Sequence, residues 1–115
     1  MKKLRNSIDY LEDIQDAITK GINFVENISF DEFLKDEKTQ YALIRAIEII
    51  GEASKKIADD LKTKYTSVPW SEISGMRDKL IHDYFGVNEE VVWKTAKEDL
   101  PMLKTKIEVI ISSMK

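Results

Sequence analysis

The chain has 115 residues, 43 % hydrophobic and 34 % charged, with four Gly and two Pro. This composition excludes long disordered stretches and leaves room for one modest core, which a second copy could usefully extend. A net charge of -3 excludes a broad basic face for gripping duplex DNA, and the lack of Cys excludes disulfides, thiol catalysis and Cys-ligated zinc.

In chain order, the opening "MKKLRNSIDYLEDI" is charged but lacks the apolar run of a signal peptide. Leu4, Ile8, Leu11, Ile14, Ile18 and Ile22 recur at helical intervals, predicting a helix over about residues 3–26, with Gly21 inside it. "NISFDEFLKD" reads as a connector with a short helical turn, in which Ser29 caps and Glu32 completes a capping box. From Asp36 to Tyr65, Leu43, Ile47, Ile50, Ser54, Ile57 and Leu61 make one face, widened by Ile44, Gly51 and Ala58. Asp36 and Glu37 at its start and Lys62 and Lys64 at its end suit the helix dipole. Gly51 and Ala53 are small enough for close approach by another helix.

"TSVPWSEISGM" marks a boundary and a restart. Pro69 fits the first turn of a third helix running to about Phe85, bent near Ser74 and Gly75 and stopped by Gly86 in a left-handed conformation. Trp70 reads as an apolar anchor rather than a base-stacking platform. Asn88 is the expected cap of a fourth helix, with Val92, Ala96, Leu100, Leu103, Ile107, Ile110 and Met114 inward and a kink or break at Pro101. No segment has useful strand periodicity, and none approaches the ~20 apolar residues that cross a bilayer. The expected fold is all-α: an antiparallel bundle of four long helices plus a short connecting helix, one domain over residues 1–115. It is expected in the cytoplasm, as a symmetric homodimer and without a membrane partner.

The basic clusters Lys2, Lys3 and Arg5, and Lys55, Lys56, Lys62 and Lys64, have acids nearby and read as solvated surface. They leave room for brief contact with a single RNA strand. The only histidine, His82, lies in "GMRDKLIHDYFG". Asp78 stands four residues before it, so on a helix the carboxylate can hold the imidazole and select its tautomer. The alternative is an ordinary exposed pair. Arg77 offers a donor fork suited to phosphate, or to an acid such as Glu48 or Glu52 on the preceding helix. Tyr84 can contact a base or simply pack with its hydroxyl at the rim.

Arg77 and Tyr84 are seven residues apart and share a helix face, whereas His82, five residues after Arg77, does not. A second copy would ease that mismatch, because one subunit's Arg77 could serve the other's His82. Metal-free RNA cleavage needs a base, an acid and cationic support for phosphate, and two copies together offer two histidines and two arginines. No metal or other cofactor is expected.

"GMRDKLIHDYFGV", with its Arg-x4-His-x-Tyr pattern, and the upstream "RAIEIIGEASKKI" resemble the HepT-like branch of the HEPN-fold proteins, once catalogued as uncharacterised-protein family 86. The resemblance spans nearly the whole chain. It implies a homodimeric ribonuclease toxin of a toxin–antitoxin pair that cuts RNA without metal in a cleft between subunits. It also implies Arg77 on the scissile phosphate, His82 in proton transfer and Tyr84 in RNA binding. Tyr84 further matches the tyrosine to which a minimal nucleotidyltransferase antitoxin adds AMP. Asp78 departs from the asparagine often found after the arginine; a carboxylate there would orient His82 more strongly while repelling RNA phosphate. The competing reading is a non-catalytic helical binding partner of a nucleotidyltransferase.

Overall fold

The computed structural model describes residues 5–81 and 88–115, apart from the side chains of Arg77, Lys79, Leu80 and Ile81. Every regular element in these residues is helical. The long helices are α1 (Ser7–Val25), α3 (Glu37–Lys55), α5 (Trp70–Ile81) and a C-terminal run made of α6 (Glu89–Lys94), a π-helical turn (Thr95–Asp99) and α7 (Leu100–Met114). Two short helices, α2 (Phe30–Leu34) and α4 (Asp59–Lys64), lie in the links.

Local side-chain chemistry sets most of the helix starts. Asn6 accepts from the Asp9 amide while the Asp9 carboxylate takes the Asn6 amide, a reciprocal capping box. Ser29 and Glu32 form the expected second box, at 3.1 and 3.0 Å. Asp36 accepts from both the amide and the hydroxyl of Thr39, and Asn88 accepts from the amides of Glu90 and Val91.

The helical stripes meet in a contiguous apolar cluster that includes Leu11, Ile14, Ile18, Phe33, Leu43, Ile47, Ile50, Leu100 and Ile107. Cross-links give the directions. Ser7 meets Ala58 and Gly21 approaches Leu43, so α1 and α3 are antiparallel. Gln15 reaches Lys104 and Lys97 reaches Val25, so α1 and α7 are antiparallel as well. The Lys97 ammonium also closes the C-terminal end of α1, which has no basic residue in its own last turn. Aromatic contacts hold α2 on α6, with the Trp93 ring 5.7 Å from Phe30 and 5.1 Å from Phe33.

The all-α reading holds, with three differences in detail. The long second helix stops at Lys55; Ile57 turns into the core, Ala58 is extended, and α4 restarts at Asp59. The Ser7 hydroxyl accepts the Ala58 amide at 3.1 Å, which satisfies the backbone at this break. Pro101 does not break the last helix. Its missing amide and its ring disturb the bond to Lys97 four residues back, and the preceding turn widens so that the Leu100 amide bonds Thr95. Met114 is 40 % exposed rather than inward, because the run passes the end of the core beyond Ile110. Helix α5 runs through Ser74 and Gly75, while the proposed stop at Gly86 lies outside the described residues.

Two helical glycines should respond oppositely to substitution. A Cβ on Gly21 would lie 2.8 Å from Leu100 Cδ1, whereas one on Gly75 would meet nothing within 4 Å. Gly21→Leu should lower unfolding free energy by about 1–3 kcal/mol through overpacking. Gly75→Ala should raise it by about 0.5–1 kcal/mol through helix propensity. Urea titrations check both, and a shared sign would contradict the packing described.

The side-chain and backbone hydrogen bonds from Thr39 hold the Asp36 carboxyl below its ordinary pKa. A depressed carboxylate contributes stability at neutral pH and loses it as pH falls through the acid range below about pH 4. Asp36→Asn should therefore flatten the acid limb of stability against pH, measured by thermal melts.

Candidate functional site

Helix α5 carries the first half of the Arg-x4-His-x-Tyr pattern, and its N-terminal end is firmly anchored. The Pro69 carbonyl accepts the Ile73 amide at 3.0 Å. The Trp70 indole N–H donates to the Tyr65 carbonyl at 3.0 Å, and its ring is buried. The Lys106 ammonium reaches back from α7 to the Ser67 carbonyl at 2.7 Å. Trp70 is thus the apolar anchor expected from the sequence, with its polar edge satisfied.

Along its length α5 packs chiefly on α3. Ile73 enters the core, and one polar contact accompanies it: Ser54 Oγ lies 3.0 Å from Ser74 Oγ. Ser54 is fully buried and donates to the Gly51 carbonyl at 2.8 Å. Its single proton being used there, the Ser74 hydroxyl donates to Ser54.

On its other flank α5 borders an open cleft of about 510 Å³. Ile73, Gly75 and Met76 of α5 face Val91, Thr95, Met102 and Leu103 across it, with Glu72, Lys94 and Asp99 as charged members of the lining. Lys94 also pairs with Glu90 at 3.3 Å on the exposed side of α6. The π-helical turn forms part of the cleft wall, and the Thr95 hydroxyl donates to Val91 O at 2.9 Å. Widened turns of this kind are frequent at functional sites.

The motif continues from this wall. Arg77 follows Met76 in α5, and Asp78 is exposed on the same helix. His82 and Tyr84 lie outside the described residues, in the stretch 82–87 that joins α5 to the Asn88 cap of α6. The pattern therefore starts beside the cleft and extends into the link between its two flanking helices. Among the described residues no group of three or more His, Asp or Glu could hold a metal ion. No described helix is long and apolar enough to cross a membrane.

Of the basic clusters, Lys2 and Lys3 lie outside the described residues, and Arg5 is engaged by Asp13 at 2.7 Å and by the Tyr10 ring. Lys55 and Lys56 are exposed on the outer end of α3, and none of the four lysines at 55, 56, 62 and 64 lines the cleft. Sequence reasoning missed Lys94, Thr95 and Asp99, because it could not foresee the widened turn. It also placed Ser54 on the inward face without assigning it a partner.

A family model described as Ribonuclease HepT-like matches residues 8–110. The chain belongs to the HepT-like ribonuclease family. It is 57 % identical over 104 residues to a protein of Thermococcus cleftensis named a probable ribonuclease HepT, covering 90 % of this chain and 94 % of that one. It is 45 % identical to a protein of Methanocaldococcus jannaschii that is provisionally named an RNase, covering 91 % and 87 %. A third relative, from Caldanaerobacter subterraneus, carries the same provisional name at 43 % identity, covering 92 % and 95 %. No solved structure gives a significant match.

If Trp70 anchors the start of α5, its ring and its N–H should be separable. Trp70→Phe should cost about 1 kcal/mol for the lost hydrogen bond, and Trp70→Ala about 3–5 kcal/mol for the cavity. Chemical denaturation measures both; equal losses would contradict the burial of the ring.

Proposed function

We propose that the protein is a metal-independent endoribonuclease, the toxin of a toxin–antitoxin pair, whose site forms between two identical subunits. The observation that carries this reading is a family match across residues 8–110 that encloses Arg77, His82 and Tyr84 at the spacing of the motif. The substrate is single-stranded RNA.

The chemistry needs no group beyond the chain itself. One imidazole takes the proton from a ribose 2′-hydroxyl as that oxygen attacks phosphorus. The bond from phosphorus to the 5′ oxygen breaks, and the second subunit's imidazole protonates the departing oxygen. The products are a 2′,3′-cyclic phosphate and a 5′-hydroxyl. Arg77 supplies two N–H donors to the phosphoryl oxygens as negative charge builds on them. Asp78, four residues earlier in the sequence, orients His82, and Tyr84 holds a neighbouring nucleotide.

Tyr84 also provides the control point. A nucleotidyltransferase antitoxin transfers AMP from ATP to its phenolic oxygen and releases pyrophosphate. The new phosphodiester brings charge and bulk into an opening meant for RNA, which blocks it by repulsion and occupancy. Such an antitoxin acts by turnover and need not remain bound.

Purified protein should cut single-stranded RNA in EDTA, and His82→Ala should lower the rate by at least about 10²-fold, as expected for loss of a general acid–base group. Cutting by a clean His82→Ala preparation at the wild-type rate would reject the mechanism. Incubation with the nucleotidyltransferase and ATP should add one AMP-sized mass to the wild type and none to Tyr84→Phe. Retained addition on Tyr84→Phe would place the modification elsewhere.

A further inference from the structure

Helix α5 carries Arg77 in its sequence and is held unevenly: α3 supports one flank and the cleft of about 510 Å³ opens on the other. The buried Ile73 and Trp70 anchor the helix in the core, but apolar contacts are not directional. Resistance to rolling about its own axis is strengthened by contacts of defined geometry, and the Trp70 indole bond supplies one at the helix start. The hydroxyl chain from Ser74 to Ser54 to the Gly51 carbonyl, at 3.0 and 2.8 Å, has that geometry and closes on a fully buried side chain.

We propose that Ser54 and Ser74 are positioning residues for RNA cleavage, a hydroxyl peg that sets the rotation of α5 and through it the aim of Arg77. The proposal rests on the nuclease reading above. Arg77 follows Ser74 by three residues, just under one helical turn, so any roll at the peg is carried to it undiminished. A long side chain magnifies the roll: a turn of about 20° displaces a group about 9 Å from the axis by about 3 Å. Misplacement by about 1 Å is enough to cost about 10²-fold in rate. Ser54 fits this role rather than a packing role. Its α3 stripe is otherwise apolar, and the Gly51 carbonyl it bonds lies within the helix ladder.

Three variants test the peg in the full-length protein on a single-stranded RNA oligonucleotide. Ser74→Ala removes the donor, Ser54→Ala removes its acceptor, and Ser74→Thr restores the hydroxyl. Both alanine variants should lose about 10- to 100-fold in kcat, with KM changed less than about threefold. The threonine variant should recover most of the rate, and circular dichroism and urea midpoints should separate the kcat loss from unfolding. Wild-type kcat in folded Ser74→Ala, or an equal loss in Ser74→Thr, overturns the peg while leaving the nuclease reading intact. Absence of any cleavage by the wild type, alongside an equally silent His82→Ala, overturns both. Should Ser54→Ala not fold, the Ser74 pair decides alone.

Discussion

The seating of α5 on α3 is the constraint on which the rest of this molecule depends. Helix α1 packs on both α3 and α7 and runs antiparallel to each, tied to the C-terminal run by Lys97 to Val25 and Gln15 to Lys104. Helix α5 joins the core through Trp70 and Ile73 but packs chiefly on α3. Its start is fixed by the Trp70 ring and its indole bond, and its middle by Ile73 and the Ser54–Ser74 contact. Among the described residues nothing comparable closes its far flank, where the cleft lies. A one-sided attachment leaves a helix open to a substrate or a second subunit, at the cost of making its orientation sensitive to few contacts.

The widened turn before Pro101 shapes the other wall of that cleft. Proline would normally interrupt a helix this deep in a fold, since it removes a donor and crowds the carbonyl four residues back. Here five residues, Thr95–Asp99, absorb the misfit, and the helix continues with Leu100, Leu103, Ile107 and Ile110 still inward. The turn lies where Lys94, Thr95 and Asp99 line the cleft. A feature imposed by backbone chemistry thereby sets the polar lining opposite α5.

Much of this was legible in the residues. The three- and four-residue spacing of Leu11, Ile14 and Ile18, and of Leu43, Ile47 and Ile50, specifies helices and their inward faces, and all six side chains are buried. Ser29 with Glu32, and Asn88, mark helix starts because their short side chains match unpaired amides at fixed offsets. The break after Lys55 was not legible, since it depends on Ser7, distant in sequence, taking the Ala58 amide. The cleft lining was hidden for the same reason. It needs the three-dimensional meeting of α5 with the π-helical turn, which no local pattern encodes. The motif residues stand out by type and spacing, but spacing alone separates Arg77 from His82 around the helix and gives no single-chain arrangement for both.

In the proposed mechanism a second subunit resolves that separation: the arginine of one chain works with the histidine of the other, and neither subunit holds a complete site. Mixed dimers test this most directly: differently tagged wild-type and His82→Ala proteins are unfolded, mixed and refolded together, and the mixed dimer is isolated. It carries one intact His82, so a site that needs an imidazole from each subunit should cut RNA in EDTA at least about 10²-fold more slowly than the wild type. A mixed dimer that keeps half the wild-type rate would contradict a site shared across the interface.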